Sequence, residues 1–175
     1  MSHPSIHPAN VLVMIPAYNE EAGVADVISG SKVFLPVIVV DDGSTDRTAE
    51  IAEKAGAVVI RQVPNQGKGA AMRAGFRYAL EHGYEAVITL DADRQHNPAE
   101  IPLFLERYQQ TNADLIIGER DFSKMPIVRR CSNTIGRAMF SWALGQKDRD
   151  NQSGYRLLSR RLLEKIITST ERGFE

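Results

Sequence analysis

Cysteine is nearly absent. Cys131 stands alone in 175 residues, which excludes an internal disulfide and fits a reducing, cytosolic setting. Neither sign of charge is in excess: 21 Lys and Arg against 22 Asp and Glu leave a formal net charge of −1. No overall basic field therefore argues for a nucleic-acid partner. Long hydrophobic runs are lacking too. A membrane span needs roughly 18 apolar residues, and the longest candidate, Ile135 to Leu144, is short and interrupted by Gly136 and Arg137. Met1 to Asn10 has neither an apolar core nor a basic leader, so no signal peptide is expected. Repeats, low-complexity tracts and linkers are missing as well. With 43% hydrophobic residues, residues 1–175 read as a single domain large enough to bury a core.

What is present is an alternation of strands and helices. Asn10 to Ile15 is a short apolar run that reads as a buried strand, ended by Pro16, which has no N–H to give a ladder. A helix is expected over Glu20 to Ser31, then a strand over Val37 to Val40 closed by Asp41-Asp42-Gly43-Ser44. Asp46 is placed to cap a helix over Arg47 to Ala55, with Gly56 as its stop. Val58 to Arg61 reads as a strand, Gly67 to His82 as a helix ended by Gly83, and Glu85 to Leu90 as a buried strand. Pro98 suits the first turn of a helix to Gln109, and Asp114 to Gly118 is a further strand. Ile127 to Leu144 reads as helical, and Tyr155 to Leu158 as a short strand or turn before a last helix from Ser159. This alternation predicts an α/β fold, a Rossmann-like three-layer α/β/α sandwich around a mostly parallel central sheet. Such sheets bind ligands beyond the carboxyl ends of their strands. Pro16 to Glu20, Asp41 to Ser44, Asp91 to Gln95 and Glu119-Arg120 all fall at those ends.

Several residues there can carry chemistry. Asp91 and Asp93 lie two apart at the end of an apolar strand. Carboxylates so spaced can face one hard cation, or share it with a phosphate, though solvated loop acids have the same pattern. The amide oxygen of Gln95 can join Asp93 on such a cation. Of Asp41 and Asp42, one can cap the following turn while the other faces the cleft and accepts hydrogen bonds from a base or ribose. Gly67-Lys68-Gly69 is neither a Walker loop nor a dinucleotide fingerprint, because no Ser or Thr follows Lys68 and position 72 is Met. The glycines let the chain turn into a helix, and Lys68 is a candidate for a phosphate. His96 reads as a surface residue rather than a ligand, and His3, His7 and His82 are uninformative. Arg120, Arg129, Arg130, Arg137 and Arg156 cluster in the last third. A solvated face explains such a cluster, but arginines aimed into a cleft bind phosphate in bidentate fashion.

The set PAYNE, VVDDGSTD, LDADRQHNP, GER and QSGYR, in this order, resembles the inverting family 2 glycosyltransferases of the GT-A fold. Within them it is most similar to the dolichyl- and polyprenyl-phosphate sugar synthases, over about Val11 to Arg160. The resemblance implies a nucleotide-sugar donor of the GDP-mannose or UDP-glucose type, a lipid-phosphate acceptor, and Mg²⁺ or Mn²⁺. It implies that Pro16, Ala17, Tyr18, Glu20 and Asp42 hold the nucleotide, with Asp91, Ala92, Asp93 and Arg120 along the donor. Asp93 and Gln95 would bind the metal. Arg120, Arg129, Arg130, Ser132 and Arg156 would receive the acceptor phosphate, and Asp91, Asp93 and Arg120 would carry the catalysis. It also implies work at the cytosolic face of a membrane. Glu119 departs from the pattern, since similar enzymes more often have Ser there. The chain stops at Gly173-Phe174-Glu175 where they continue, so a C-terminal part beyond residue 175 is expected.

Three rival readings remain at this stage. A transferase acting on a glycan hydroxyl would need a general base, and Asp150 is the nearby carboxylate to test for it. A metal-binding phospho-acceptor signalling module would use Asp41 and Asp42 but leave LDADRQ and QSGYR without a role. A sugar-phosphate nucleotidyltransferase would want a Gly-rich basic loop after the first strand, where this chain has Pro16-Ala17-Tyr18. Nothing in the pattern specifies an oligomer.

Overall fold

The structure, a computed structural model, describes residues 10–118 and 154–171. Contacts divide the chain into two units, Met1–Ile116 with Gly154–Glu175, and Ile117–Ser153. The described residues belong to the first unit, apart from Ile117 and Gly118.

Its elements follow in the order β1 (Val11–Ala17), α1 (Val24–Lys32), β2 (Val37–Asp41), α2 (Thr48–Lys54), β3 (Val58–Arg61), α3 (Lys68–Glu81) and β4 (Ala86–Thr89). A 3₁₀ turn (Pro98–Glu100), α4 (Ile101–Thr111), β5 (Leu115–Ile117), β6 (Arg156–Ser159) and α5 (Arg160–Glu171) complete it. The strands form one six-stranded sheet in the order β3-β2-β1-β4-β6-β5. β1 pairs in parallel with β2 and β4, β2 pairs in parallel with β3, and β6 runs antiparallel to β4. The helices at Gly67 to His82 and beyond Pro98 stand where the sequence places them, within two or three residues at each end.

The pleat sorts the side chains between two faces. On one face Val11, Val13, Ile15, Val37 and Val39 pack under α1, α2 and α4 through Val24, Ile28, Ala52, Ile101 and Phe104. On the other, Leu12, Met14, Ile38 and Val40 meet α3 and α5 through Ala71, Phe76, Ala79, Leu163 and Ile167. Strands buried on both faces read as continuous apolar runs, and this produces the expected three layers. A slip of one residue would expose none of these side chains but would exchange the two sets.

Two expectations are corrected. Pro16 lies inside β1, paired with Val40, rather than ending the strand. The reason is directional. Met14 accepts from Leu90 on the β4 side, whereas Ala17 accepts from Asp42 on the β2 side. Position 16 shares the parity of Met14, so its missing N–H falls on the β4 side, where the ladder has already stopped at Met14–Thr89. Second, α1 begins at Val24, not Glu20. The backbone N–H groups of Glu20 and Glu21 are given to Thr48 Oγ1 (2.8 Å) and Asp46 Oδ2 (3.1 Å) instead.

Those bonds belong to a clamp between the loops after β1 and β2. Asn19 N–H donates to Ser44 Oγ at 2.9 Å, and Thr45 N–H donates back to Asn19 Oδ1 at 2.8 Å. Arg47 N–H donates to Glu21 Oε2 at 3.2 Å. Asp46 accepts the Thr48 N–H at 2.9 Å, but it stands one residue before the N-cap, which is Arg47 rather than the expected Asp46. Asn19 sits at φ 55°, a left-handed conformation that Asn tolerates better than most residues. Asn19→Ala removes the acceptor and leaves a left-handed alanine. It is expected to cost about 1 kcal/mol in a denaturant titration and to speed amide hydrogen exchange at Thr45 while β1 exchange stays slow. Unchanged exchange at Thr45 would mean that other bonds hold the two loops together.

Candidate functional site

The clamp forms one wall of a cleft of about 340 Å³ beyond the carboxyl ends of β1, β2 and β4. Pro16, Ala17, Tyr18 and Glu20 enter it from the loop after β1, Asp42 from the end of β2, and Asp91, Ala92 and Asp93 from the loop after β4. Three loops far apart in sequence meet there because β1 lies between β2 and β4. The chain reverses its direction of winding at that point, which opens a crevice. Asn65, Gly67, Lys68 and Ala71, at the start of α3, close the remaining side.

The two aspartates after β2 divide their work. Asp41 Oδ1 accepts the Ser44 N–H at 3.3 Å and so caps the turn. Asp42, although buried, lines the cleft, and its Oδ1 accepts the Gln66 N–H at 2.8 Å. That bond carries the 65–67 loop to the cleft. Asn65 Oδ1 accepts the Gly67 N–H at 3.1 Å, and Gly67, at φ 88°, turns the chain into α3.

Asp91 is the most constrained group. Lys68 Nζ lies 2.6 Å from its Oδ1, and His96 Nε2 lies 3.8 Å from its Oδ2. At that distance the histidine contact is electrostatic rather than a formed hydrogen bond. His96 and then Lys68 hold the Asp91 carboxyl well below the usual carboxylate range, against burial, which works the other way. A carboxyl lowered in the fold stabilises it at neutral pH, and that contribution fades only as pH falls toward its lowered pKa. Glu20 moves in the opposite direction. Burial pushes its pKa up, and the charges of Asp93, Asp91 and Asp46 add to the shift. Among the described residues the cleft thus concentrates negative charge against one exposed lysine.

Asp93 points its carboxylate at its own loop. Gln95 N–H donates to Oδ1 at 3.0 Å and the Gln95 side-chain amide donates to Oδ2 at 2.5 Å. Among the described residues no group of three or more His, Cys, Asp or Glu converges on a point where a metal ion could be held. The donor set suits a hard cation, with carboxylate and amide oxygens and no thiolate. It offers few protein ligands, in the manner of sites that complete a cation's shell with phosphates and water.

The described residues expected to hold a donor therefore line one cleft. Gln95 does not line it; it borders a neighbouring depression with Asp26, Arg94 and Pro98. Arg156 stands opposite Thr89 in the β4–β6 register, near the cleft end of β4, and is not among the lining residues. Arg120, Arg129, Arg130, Ser132, Glu119, Asp150 and the Ile127 to Leu144 helix lie outside the described residues. One expectation is corrected: His96 is buried, not at the surface, packed against Tyr155. Its polar neighbours in sequence hide an inward turn, because Arg94 at φ 62° reverses the loop before it. Asn65 and Ala71 carried no signal of their own. Gly67 ahead of a helix was the cue that the 65–71 segment faces a ligand site.

Comparison with known proteins agrees with this geometry. The family model described as glycosyl transferase family 2 matches residues 12–167. The chain is 35% identical over 162 residues to the undecaprenyl-phosphate mannosyltransferase of Micrococcus luteus, covering 83% of this chain and 65% of that protein. It is 32% identical over 176 residues to the polyprenol monophosphomannose synthase of Mycolicibacterium smegmatis, covering 90% of this chain and 64% of that one. Among solved structures it is similar to glucosyl-3-phosphoglycerate synthase from Mycobacterium tuberculosis in complex with Mn²⁺, UDP-glucose and phosphoglyceric acid. There the TM-score is 0.65 at 25% identity, over 87% of this chain and 57% of that one. The chain thus spans somewhat under two thirds of the length of each of these proteins. A match that runs through β1, the cleft loops and most of α5 places the chain in glycosyl transferase family 2, with the GT-A fold.

Proposed function

We propose that this chain moves a sugar from a nucleoside diphosphate sugar, of the GDP-mannose or UDP-glucose type, to a polyprenyl or dolichyl phosphate with inversion at the anomeric carbon. The observation that carries the reading is the convergence of Tyr18, Asp42, Lys68, Asp91 and Asp93 in one cleft at the switch point of the sheet. Tyr18, half exposed, offers a ring face for a base to stack on, and Asp42 offers a buried acceptor for a base N–H. Lys68, one residue into α3, faces where a diphosphate would lie, and the helix start adds partial positive charge. The signalling-module alternative loses its support once the chain is placed among transferases.

The acceptor half of the reading draws on the relatives, two of which are named for transfer to undecaprenyl or polyprenol phosphate. It also draws on chemistry. A phosphate monoester with a second pKa near ~6 is largely dianionic at pH 7 and needs no base to attack. Its oxygen forms a bond to the anomeric carbon from the face opposite the diphosphate, the bond to the diphosphate oxygen breaks, and the nucleoside diphosphate leaves. Asp93 and, after its amide turns, the Gln95 carbonyl oxygen would hold Mg²⁺ or Mn²⁺, which when bound neutralises charge on that leaving group. Lys68 supports the same charge from the other side. Arg120, Arg129, Arg130, Ser132 and Arg156 are the groups proposed to receive the acceptor phosphate and to meet an anionic membrane surface. No helix among the described residues is long and apolar enough to cross a bilayer.

Titration of GDP- and UDP-sugars with and without Mn²⁺ tests the donor half. Asp93→Asn is expected to abolish the gain in affinity from Mn²⁺ while the thermal midpoint holds, because its carboxylate is exposed and not part of the core. Equal affinity in excess EDTA, for parent and variant alike, would remove the cation from the reading.

Asp42→Asn keeps an oxygen for the Gln66 N–H but turns an amide donor toward the base N–H. It is expected to weaken binding of the free nucleoside diphosphate by about 1–3 kcal/mol. Unchanged calorimetric affinity would leave Asp42 with a loop-holding role alone.

For the acceptor half, Arg129→Ala with Arg130→Ala is expected to lower transfer to polyprenyl phosphate by about tenfold or more while nucleotide-sugar affinity holds. Transfer at the parental rate would make these arginines a solvated surface. A parent that uses only hydroxyl acceptors would overturn the lipid-phosphate reading and direct attention to Asp150.

A further inference from the structure

We propose that His96 is a positioning residue for Asp91, taking over its carboxylate when a donor diphosphate draws Lys68 away. The inference rests on the donor reading above for the release of Lys68, and on His96 itself for the rest. His96 is 7% exposed, and its Nε2 has no hydrogen-bond partner among the described residues. A buried ring nitrogen without a partner calls for an explanation. Asp91 Oδ2 at 3.8 Å is within ion-pair distance, about 1 Å beyond a hydrogen bond, and a small rotation of the carboxylate closes the gap.

The surroundings hold the imidazole still and leave the lysine free to move. The His96 ring packs on Tyr155 with centroids 5.2 Å apart, and Tyr155 stacks on Phe104 at 4.4 Å. Tyr155 Oη donates to the Asn97 carbonyl at 3.3 Å, which ties down the backbone just after His96. Lys68, by contrast, has a side chain 64% exposed and reaches Asp91 from solvent. An exposed ammonium exchanges one anion for another at little cost, whereas a packed ring does not travel. Gly154 restricts the third side. A Cβ there would lie 2.0 Å from Asp91 Oδ2, and the Thr89 hydroxyl donates to the Gly154 carbonyl at 2.7 Å, fixing that backbone in place. Asp91 therefore has a near partner, Lys68 at 2.6 Å from Oδ1, and a more distant one, His96 at 3.8 Å from Oδ2, with no room to swing elsewhere past Gly154. A diphosphate entering a cleft that already holds Glu20, Asp91 and Asp93 is the event that would shift it from one to the other.

The test uses the full chain labelled with ¹⁵N-histidine, with UDP and GDP as probes. In Lys68→Ala without nucleotide, the His96 Nε2–H is expected to shift downfield and exchange slowly, as in a formed bond to carboxylate, and Asp91→Asn in that background abolishes the signature. An Nε2 that resonates as an unprotonated ring nitrogen in Lys68→Ala overturns the proposal. Saturating UDP or GDP on the parent is expected to reproduce the Lys68→Ala signature. If Lys68→Ala gives it and neither nucleotide does, the histidine contact stands and the donor-driven hand-over is overturned. In turnover, His96→Ala is expected to lower kcat about tenfold to a hundredfold with the donor KM nearly unchanged, and His96→Gln, which retains an N–H at similar reach, recovers most of the loss. A glutamine variant no better than alanine, or a loss confined to KM, overturns it.

Discussion

The cleft depends on a mismatch in length between two neighbouring ladders. β1 pairs with β2 as far as Ala17–Asp41 but with β4 only as far as Met14–Thr89. Beyond Met14 one edge of β1 is bare, and Pro16 sits there with no N–H to leave unpaired. The loop after β4 is thereby released from the sheet, and Asp91 to Asp93 peel away to face the loop after β1. Had β4 continued in register, its backbone would occupy the space where the cleft now opens. The same mismatch explains the clamp. With no partner on the β4 side, the chain after Ala17 finds its hydrogen bonds on the β2 side, through Ser44, Thr45, Asp46 and Thr48.

Charge in the cleft is predominantly negative among the described residues. Glu20 is pushed upward by burial first and then by the negative charges of Asp93, Asp91 and Asp46. Lys68, exposed, and His96, buried, are the basic side chains within 4 Å of Asp91 among the described residues. A cation added to such a site meets a favourable field, and a diphosphate without a cation meets an unfavourable one apart from Lys68 and the start of α3.

Most of the framework was legible because buried parallel strands write themselves as apolar runs, and the acids that follow them mark strand ends. Val37 to Val40 closed by Asp41-Asp42 illustrates this: composition, turn chemistry and topology all point the same way. Pro16 was misjudged because a proline's tolerance in a sheet depends on which neighbour its nitrogen faces, and that requires the register of two partners. His96 was misjudged for a related reason. Its loop is polar on every side, and only the reversal at Arg94 together with the arrival of Tyr155 from β6's flank, remote in sequence, makes its position interior. Lys68 was read as a phosphate candidate, but its pairing with Asp91 spans 23 residues and leaves no local trace.

The antiparallel strand β6 makes the last connection between fold and site. In a purely parallel sheet the neighbour of β4 would run the same way, and the residues near the Asp91 end would follow that strand rather than precede it. β6 instead runs against β4, so Gly154 and Tyr155 come just before the strand and reach the carboxyl end of β4. Thr89 fastens Gly154 by its carbonyl, Gly154 brings bare backbone against Asp91, and Tyr155 packs on His96 behind it. A side chain at 154 would displace the carboxylate, and a smaller residue at 155 would loosen the imidazole. One reversed strand thus delivers both the surface against which Asp91 rests and the ring that holds its second partner. Gly154-Tyr155 and the Asp91 to Asn97 loop form a single packing unit for that reason, although more than fifty residues separate Asn97 from Tyr155.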